Sequence, residues 1–118
     1  MWFEVKTMAD LKKATHEISR YLEENAVPKE KVFDCRLVVN ELVGNVLRHS
    51  DGTASVKGNI TEGSIEIYVR STKTYVPPEV SVCSPATAEG GRGLYLVDSV
   101  SVSRTVSPEG EIKVVIQY

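Results

Sequence analysis

Two cysteines, two histidines, one tryptophan and two phenylalanines are all that 118 residues contain of these types, and each scarcity removes a class of explanation. Cys35 and Cys83 lie far apart and form no CxxC pair, so neither a zinc site nor a dithiol redox motif is encoded. Both read as structural thiols of a reducing compartment. His16 and His49 share no metal-ligand spacing and read as partly exposed side chains. Charge of neither sign is in surplus: 14 basic and 16 acidic residues leave a net charge of -2. With no local basic cluster along the chain, general binding to nucleic acid is excluded. No apolar run approaches the ~20 residues of a membrane span. The start Met1-Trp2-Phe3-Glu4 lacks the basic-then-apolar order of a secretory leader. The expected compartment is the cytoplasm, with neither membrane nor nucleic acid as partner.

What is present fits one globular unit. A hydrophobic fraction of 42% with 25% charged residues is that of an ordinary folded domain. At this length a core forms without disulfides or metal, so a single domain over residues 1–118 is expected, with no room for a sensor or a phosphoacceptor helix pair.

Along the chain, Trp2-Phe3-Glu4-Val5 is a short β-prone opening. Thr7 with Asp10 three residues later has the form of a capping box with Asp in place of Glu. Leu11, Ala14, Ile18 and Leu22 then recur at helical spacing opposite Lys12, Lys13, Glu17 and Glu24. Pro28, suited to a first helical position, opens a second helix running to about His49. From Thr53 the period changes to two: Ala54, Val56 and Gly58, then Ile65, Ile67 and Val69, across the turn Thr61-Glu62-Gly63. Residues 71–91, with Pro77, Pro78 and Pro85, predict a loop of the length that often acts as a lid. Gly91-Arg92-Gly93 opens a short helix with Leu94 and Val97, and strands at 102–106 and 112–118 flank the turn Ser107-Pro108-Glu109-Gly110. The order β-α-α-β-β-loop-α-β-β predicts an α+β fold with helices on one face of a largely antiparallel sheet.

The second helix carries an anomaly. At 100° per residue, Cys35, Val39, Leu42, Val43 and Val46 form a broad apolar arc. Asp34, Glu41, Asn45, Arg48 and His49 fall on a narrow stripe of their own, and Arg36 and Asn40 point in a second polar direction. A polar stripe bounded by apolar residues lines a pocket, or else it is solvated and pairs its own charges, Glu41 with Asn45 and Arg48. Geometry alone leaves both readings open. Glu41 and Asn45 stack one turn apart; a carboxylate can take a proton from a nucleophile, and an amide oxygen is a hard ligand of the kind Mg²⁺ prefers. The segment Glu89-Gly90-Gly91-Arg92-Gly93-Leu94 is the second informative site. Glycines at a helix start let backbone N–H groups approach an anion, aided by the positive end of the helix dipole. The plainer alternative is a turn that needs positive φ. Leu42, Val46, Leu94 and Val97 read as core.

These two segments together resemble a known family. Val39-Asn40-Glu41-Leu42-Val43-Gly44-Asn45-Val46-Leu47-Arg48-His49 looks like the N box of GHKL ATPases, and Glu89-Gly90-Gly91-Arg92-Gly93-Leu94-Tyr95-Leu96-Val97-Asp98 like their second glycine box. The resemblance covers nearly the whole chain and is closest to the anti-sigma factor serine/threonine kinases. It implies a two-layer α/β sandwich on a mixed, mostly antiparallel sheet. It implies a general base at Glu41, an Mg²⁺ ligand at Asn45, and an ATP site formed with His49, Ser71, Gly91, Arg92, Gly93 and Leu94. It implies phosphorylation of an antagonist protein, sequestration of a sigma factor, and a homodimer built through the Trp2–Val5 strand. Two departures fall at the adenine end. Ser71-Thr72-Lys73-Thr74-Tyr75 stands where the family has Asp-x-Gly-x-Gly, and Glu111, Ile112 and Lys113 stand where it has a threonine. Ser71 offers only a neutral hydrogen bond, about half as strong as a charge-assisted one. The alternative expectation is therefore a regulator of the same fold that acts through protein contact without kinase activity.

Overall fold

The structure, a computed structural model, describes residues 1–49, 53–71 and 89–118, without the side chains of His49 and of residues 89–94. Its elements are β1 (Trp2–Val5), α1 (Met8–Glu24), α2 (Lys29–His49), β2 (Ala54–Thr61), β3 (Ser64–Ser71), α3 (Glu89–Val100), β4 (Ser103–Val106) and β5 (Ile112–Gln117). The expected order is present. The loop expected over 71–91 lies largely outside the described residues, and both its ends are shorter than the sequence predicted: β3 takes in Ser71 and α3 begins at Glu89.

Local chemistry sets the helix limits. Thr7 Oγ1 accepts from the Asp10 N–H at 3.1 Å, while the Asp10 carboxylate accepts from the Lys6 and Thr7 N–H groups at 3.1 and 3.2 Å. This closes the anticipated capping box and puts an acid at the positive end of the helix dipole. At the other end the Ala26 N–H reaches the Glu23 carbonyl at 3.1 Å and the Val27 N–H the Leu22 carbonyl at 3.0 Å. That is a Schellman motif, completed by burial of Val27 against Leu22. It places Ala26 at φ 61, a left-handed conformation in which a Cβ is unfavourable. Pro28 stands one residue ahead of α2 rather than inside it, its carbonyl accepting from Lys31 and Val32 at 2.9 and 3.0 Å. Having no N–H to lose, proline serves equally well there.

The five strands form one sheet in the order β1-β2-β3-β5-β4, and every described pairing is antiparallel. Gly63 supplies φ 76 in the tight β2–β3 turn. Ala54 and Val56, Ile65, Ile67 and Val69, and Ile112, Val114 and Ile116 present one continuous buried face. Gly58 continues that row on β2, where a Cβ would collide with the Met1 side chain. Helices cover this face: α2 packs on β2, β3 and β5 and also touches both α1 and α3. Alternation therefore sends polar residues outward. Tyr68 there lies under the ammonium groups of Lys57 and Lys113, 4.6 and 5.7 Å from its ring centroid, and Lys113 meets Glu66 at 3.3 Å.

Cys35 is buried in the α2 core face and unpaired. Burial first, and the neighbouring Asp34 charge second, push its thiol from the ordinary 9.0 to about 12.

Replacing Ala26 by Gly relieves the left-handed strain at some cost in unfolded-chain entropy, so a net stabilisation of about 1 kcal/mol is expected in urea unfolding. A Cys83→Ser variant, which leaves Cys35 as the sole thiol, should be inert to thiol reagents at pH 8 until unfolded. The raised folded pKa means that only the unfolded chain ionises Cys35 between pH 9.0 and about 12. Stability should therefore fall as pH rises through that window, and Cys35→Ala should flatten the alkaline limb of a pH-stability profile.

Candidate functional site

The 21 residues of α2 carry the two polar directions that the helical wheel anticipates, but the narrower one does not stay in water. Asp34 is half-buried and reaches Lys31 at 3.8 Å. One turn and more towards the C-terminus, Glu41 is also half-buried, with no hydrogen bond or ion pair to the described residues. Asn45, four residues on, has 0% of its surface exposed. The stripe thus passes from half-buried at Asp34 and Glu41 to fully buried at Asn45, and returns to the surface at Arg48.

Asn45 is half satisfied. Its Oδ1 accepts from the Arg48 guanidinium at 2.7 Å, while Nδ2 is buried with no partner. An unmet buried donor costs about 1–3 kcal/mol, and a leucine or valine would fill the same space as the neighbouring core residues do. Packing alone does not explain an amide here. A donor aimed at nothing is accounted for by an acceptor that arrives with a ligand. Arg48 is exposed, so the buried amide oxygen is linked to the surface through the guanidinium that donates to it. Gly44 shapes this arrangement: a Cβ at that position would stand 3.2 Å from Arg48 Nη1. A mid-helix glycine costs about 1 kcal/mol of helix propensity relative to alanine, and here its missing side chain is the space through which Arg48 folds back. Gly44 is the one glycine of α2, and its place four residues before Arg48 is the sequence signal for this contact. The expected Glu41–Arg48 pairing is replaced by the bond from Arg48 to Asn45.

The glycine segment lies within α3 rather than ahead of it. Gly91, Arg92, Gly93 and Leu94 all follow Glu89 in the helix. The first four N–H groups of a helix have no partner inside it; in α3 these belong to Glu89 to Arg92, two of them on glycines. The acid at Glu89 suits the positive helix end. The side chains of Arg92 and Leu94 lie outside the described residues. α3 packs against α2 and is held at its far end by Asp98, whose carboxylate takes Arg104 Nε at 2.7 Å and Nη2 at 3.2 Å, tying the helix to β4. Two elements that the sequence separates by a hairpin and a loop are thereby neighbours.

Ser71 ends β3 and is half-buried. Val69 pairs with Ile112 and Arg70 reaches Glu111 at 4.0 Å, so the two stretches that depart from the family pattern share one sheet end. Thr72, Lys73, Thr74 and Tyr75 lie outside the described residues, as does the His49 side chain. Leu42, Val46 and Val97 are buried, as expected of core. No group of three or more His, Cys, Asp or Glu among the described residues can hold a metal by itself, and no described helix is long and apolar enough to cross a membrane.

The antiparallel sheet is backed by α2, which buries the Asn45 amide and packs against both α1 and the glycine-containing α3. Residues 5–116 match the histidine kinase-like ATPase domain, and the chain belongs to that family. No curated protein matches it.

Replacing Asn45 by Leu removes the unmet donor while keeping a side chain of similar shape. The variant should unfold at higher urea, gaining about 1–2 kcal/mol. A loss of stability instead would show that the amide serves packing.

Proposed function

We propose that the chain is an anti-sigma factor-like serine/threonine protein kinase that uses Mg-ATP, phosphorylates an antagonist protein and sequesters a sigma factor. The observation that carries this reading is the fully buried Asn45 amide with an unmet donor, one turn from a half-buried carboxylate that has no described partner. An ATPase-family fold supplies the context. The donor set suits Mg²⁺, which needs only one or two side-chain oxygens when phosphates and waters complete its shell. Asn45 Oδ1 would be that ligand once Arg48, which now donates to it, turns to the phosphates, and the ion would neutralise developing phosphate charge. In this reading Glu41 accepts the proton of the attacking serine hydroxyl. As that oxygen bonds to the γ-phosphorus, the bond from phosphorus to the β-phosphate oxygen breaks and ADP leaves. Arg48 and the free N–H groups at the start of α3 offer positive charge to the transferred group, the kind of positioning on which phosphoryl transfer depends. A homodimer belongs to the same reading. β1 is an edge strand, and Trp2 on it is 61% exposed.

A second reading, a regulator that binds partners without kinase activity, is favoured by one specific observation. Ser71 ends β3 beside Arg70, which reaches Glu111 at 4.0 Å, so both departures from the family's adenine-recognising acid and threonine fall at one sheet end.

Calorimetric titration with ATP and Mg²⁺ separates the two. Saturable binding is expected at micromolar to millimolar nucleotide, abolished by Asn45→Ala. Glu41→Gln should retain binding while transfer to a serine falls by about 10²–10⁴. Absence of binding at several millimolar ATP by folded protein would overturn the kinase reading and leave the second.

A further inference from the structure

Packing of α1 on α2 brings together charges that lie apart in the sequence. A groove of about 260 Å³ runs between the two helices, with Lys12, His16 and Arg20 along its α1 side and Arg36 on its α2 side. Glu23 is the one acid lining it. Thr15 and Ser19 form its floor; both are buried, and their hydroxyls donate to carbonyls of their own helix at 2.9 and 2.8 Å. Small, internally satisfied residues on the floor keep the groove open where leucines would fill it. The expectation of no local basic cluster is thereby corrected. Lys12, His16 and Arg20 stand at successive helical turns, and a chain with a net charge of -2 concentrates three permanent cations against one carboxylate here.

From this geometry we infer that the α1–α2 groove is a docking site for an acidic helical segment of a protein partner. The inference deepens the partner-binding half of the proposed function and rests on that half alone. Charge complementarity selects the acid: carboxylates one turn apart on a partner helix match the spacing of Lys12, His16 and Arg20, with Arg36 facing them. An apolar anchor is available outside the groove lining, on the α2 side. Phe33, one turn before Arg36 on α2, is 66% exposed, and a large exposed aromatic flanked by arginine is the composition of interface hot spots. Nucleic acid is disfavoured by Glu17, Glu23 and Glu24 along the same helix, with Glu24 already 3.7 Å from Arg20, since an evenly charged phosphate backbone would meet them too.

The test uses the full chain and a fluorescein-labelled 14-residue helical peptide carrying Glu at every fourth position with Leu beside them. Its Gln-for-Glu analogue, a single-stranded 20-mer DNA and inorganic phosphate serve as comparisons. Saturable anisotropy change is expected for the acidic peptide only, weakened at least tenfold by Arg36→Glu, several-fold by Phe33→Ala and by added salt. Glu23→Gln should tighten it, and Lys57→Gln on the far sheet face should leave it unchanged. Circular dichroism checks that each variant is folded, and Glu23→Gln keeps the test decisive if charge reversal unfolds the chain. ATP affinity unchanged in Arg36→Glu would separate this site from the nucleotide site. No binding of the acidic peptide, equal binding by Arg36→Glu, or preference for the Gln peptide, DNA or phosphate would overturn the inference, whatever ATP does.

Discussion

Burial of one amide, that of Asn45, is the constraint on which the remaining architecture turns. It sits on the inner side of a helix that packs against β2, β3 and β5 and also touches α1 and α3, where a polar group has no water to rest in. The helix bears the group nonetheless, with one of its two polar atoms unmatched. Its surroundings are arranged to accept it: Gly44 gives up helix propensity so that Arg48 can return to the amide oxygen. Destabilising elements of this kind concentrate where a ligand completes the structure.

The strength to carry that defect comes from elsewhere. A continuous apolar face from β2, β3 and β5 meets Val38, Val39, Leu42, Val43 and Val46 of α2, and each fully buried aliphatic side chain is worth about 1.5–3 kcal/mol. The ends of α1 are closed by a capping box and a Schellman turn, and the bidentate Asp98–Arg104 pair, with its arginine 5% exposed, fixes the C-terminal half of α3. The glycine-rich start of α3 is the part of that helix whose N–H groups have no partner inside it.

Two ends of the candidate site diverge in character. The α2–α3 end keeps the amide, the carboxylate and the glycines. The β3–β5 end replaces an expected acid by Ser71 and sets Arg70 against Glu111, an ion pair that occupies the strand ends with charges of its own. Phosphate recognition relies on backbone donors and a few side chains, whereas adenine recognition relies on one or two specific hydrogen bonds. The second is the easier to lose without disturbing the fold. The surfaces proposed for partner contact, the edge of β1 and the α1–α2 groove, are different again.

Most of the fold was legible because it depends on period and local chemistry. The alternation through Ala54, Val56, Ile65 and Ile67 fixes which sheet face is buried, Thr7 and Asp10 write their own cap, and the helical repeat of Leu11, Ala14, Ile18 and Leu22 names the face that packs. The pairing of Glu41 with Asn45 was legible for the same reason, as a spacing of one turn. Whether that stripe met water or interior was not, because burial depends on what packs across from it, and α3 arrives from the far end of the chain. The start of α3 at Glu89 was misplaced because glycines that read as a turn are tolerated in a first helical turn, where backbone donors need no intrahelical partner. The basic groove was invisible for a related reason: Lys12, His16 and Arg20 look dispersed among Glu17, Glu23 and Glu24 until helical turns align them, and Arg36 joins them only when α2 packs on α1. The sequence by itself determined the elements, their faces and the family they serve; the tertiary structure alone decided which polar groups lose their water and which charges become neighbours, since both depend on contacts between residues distant in the chain.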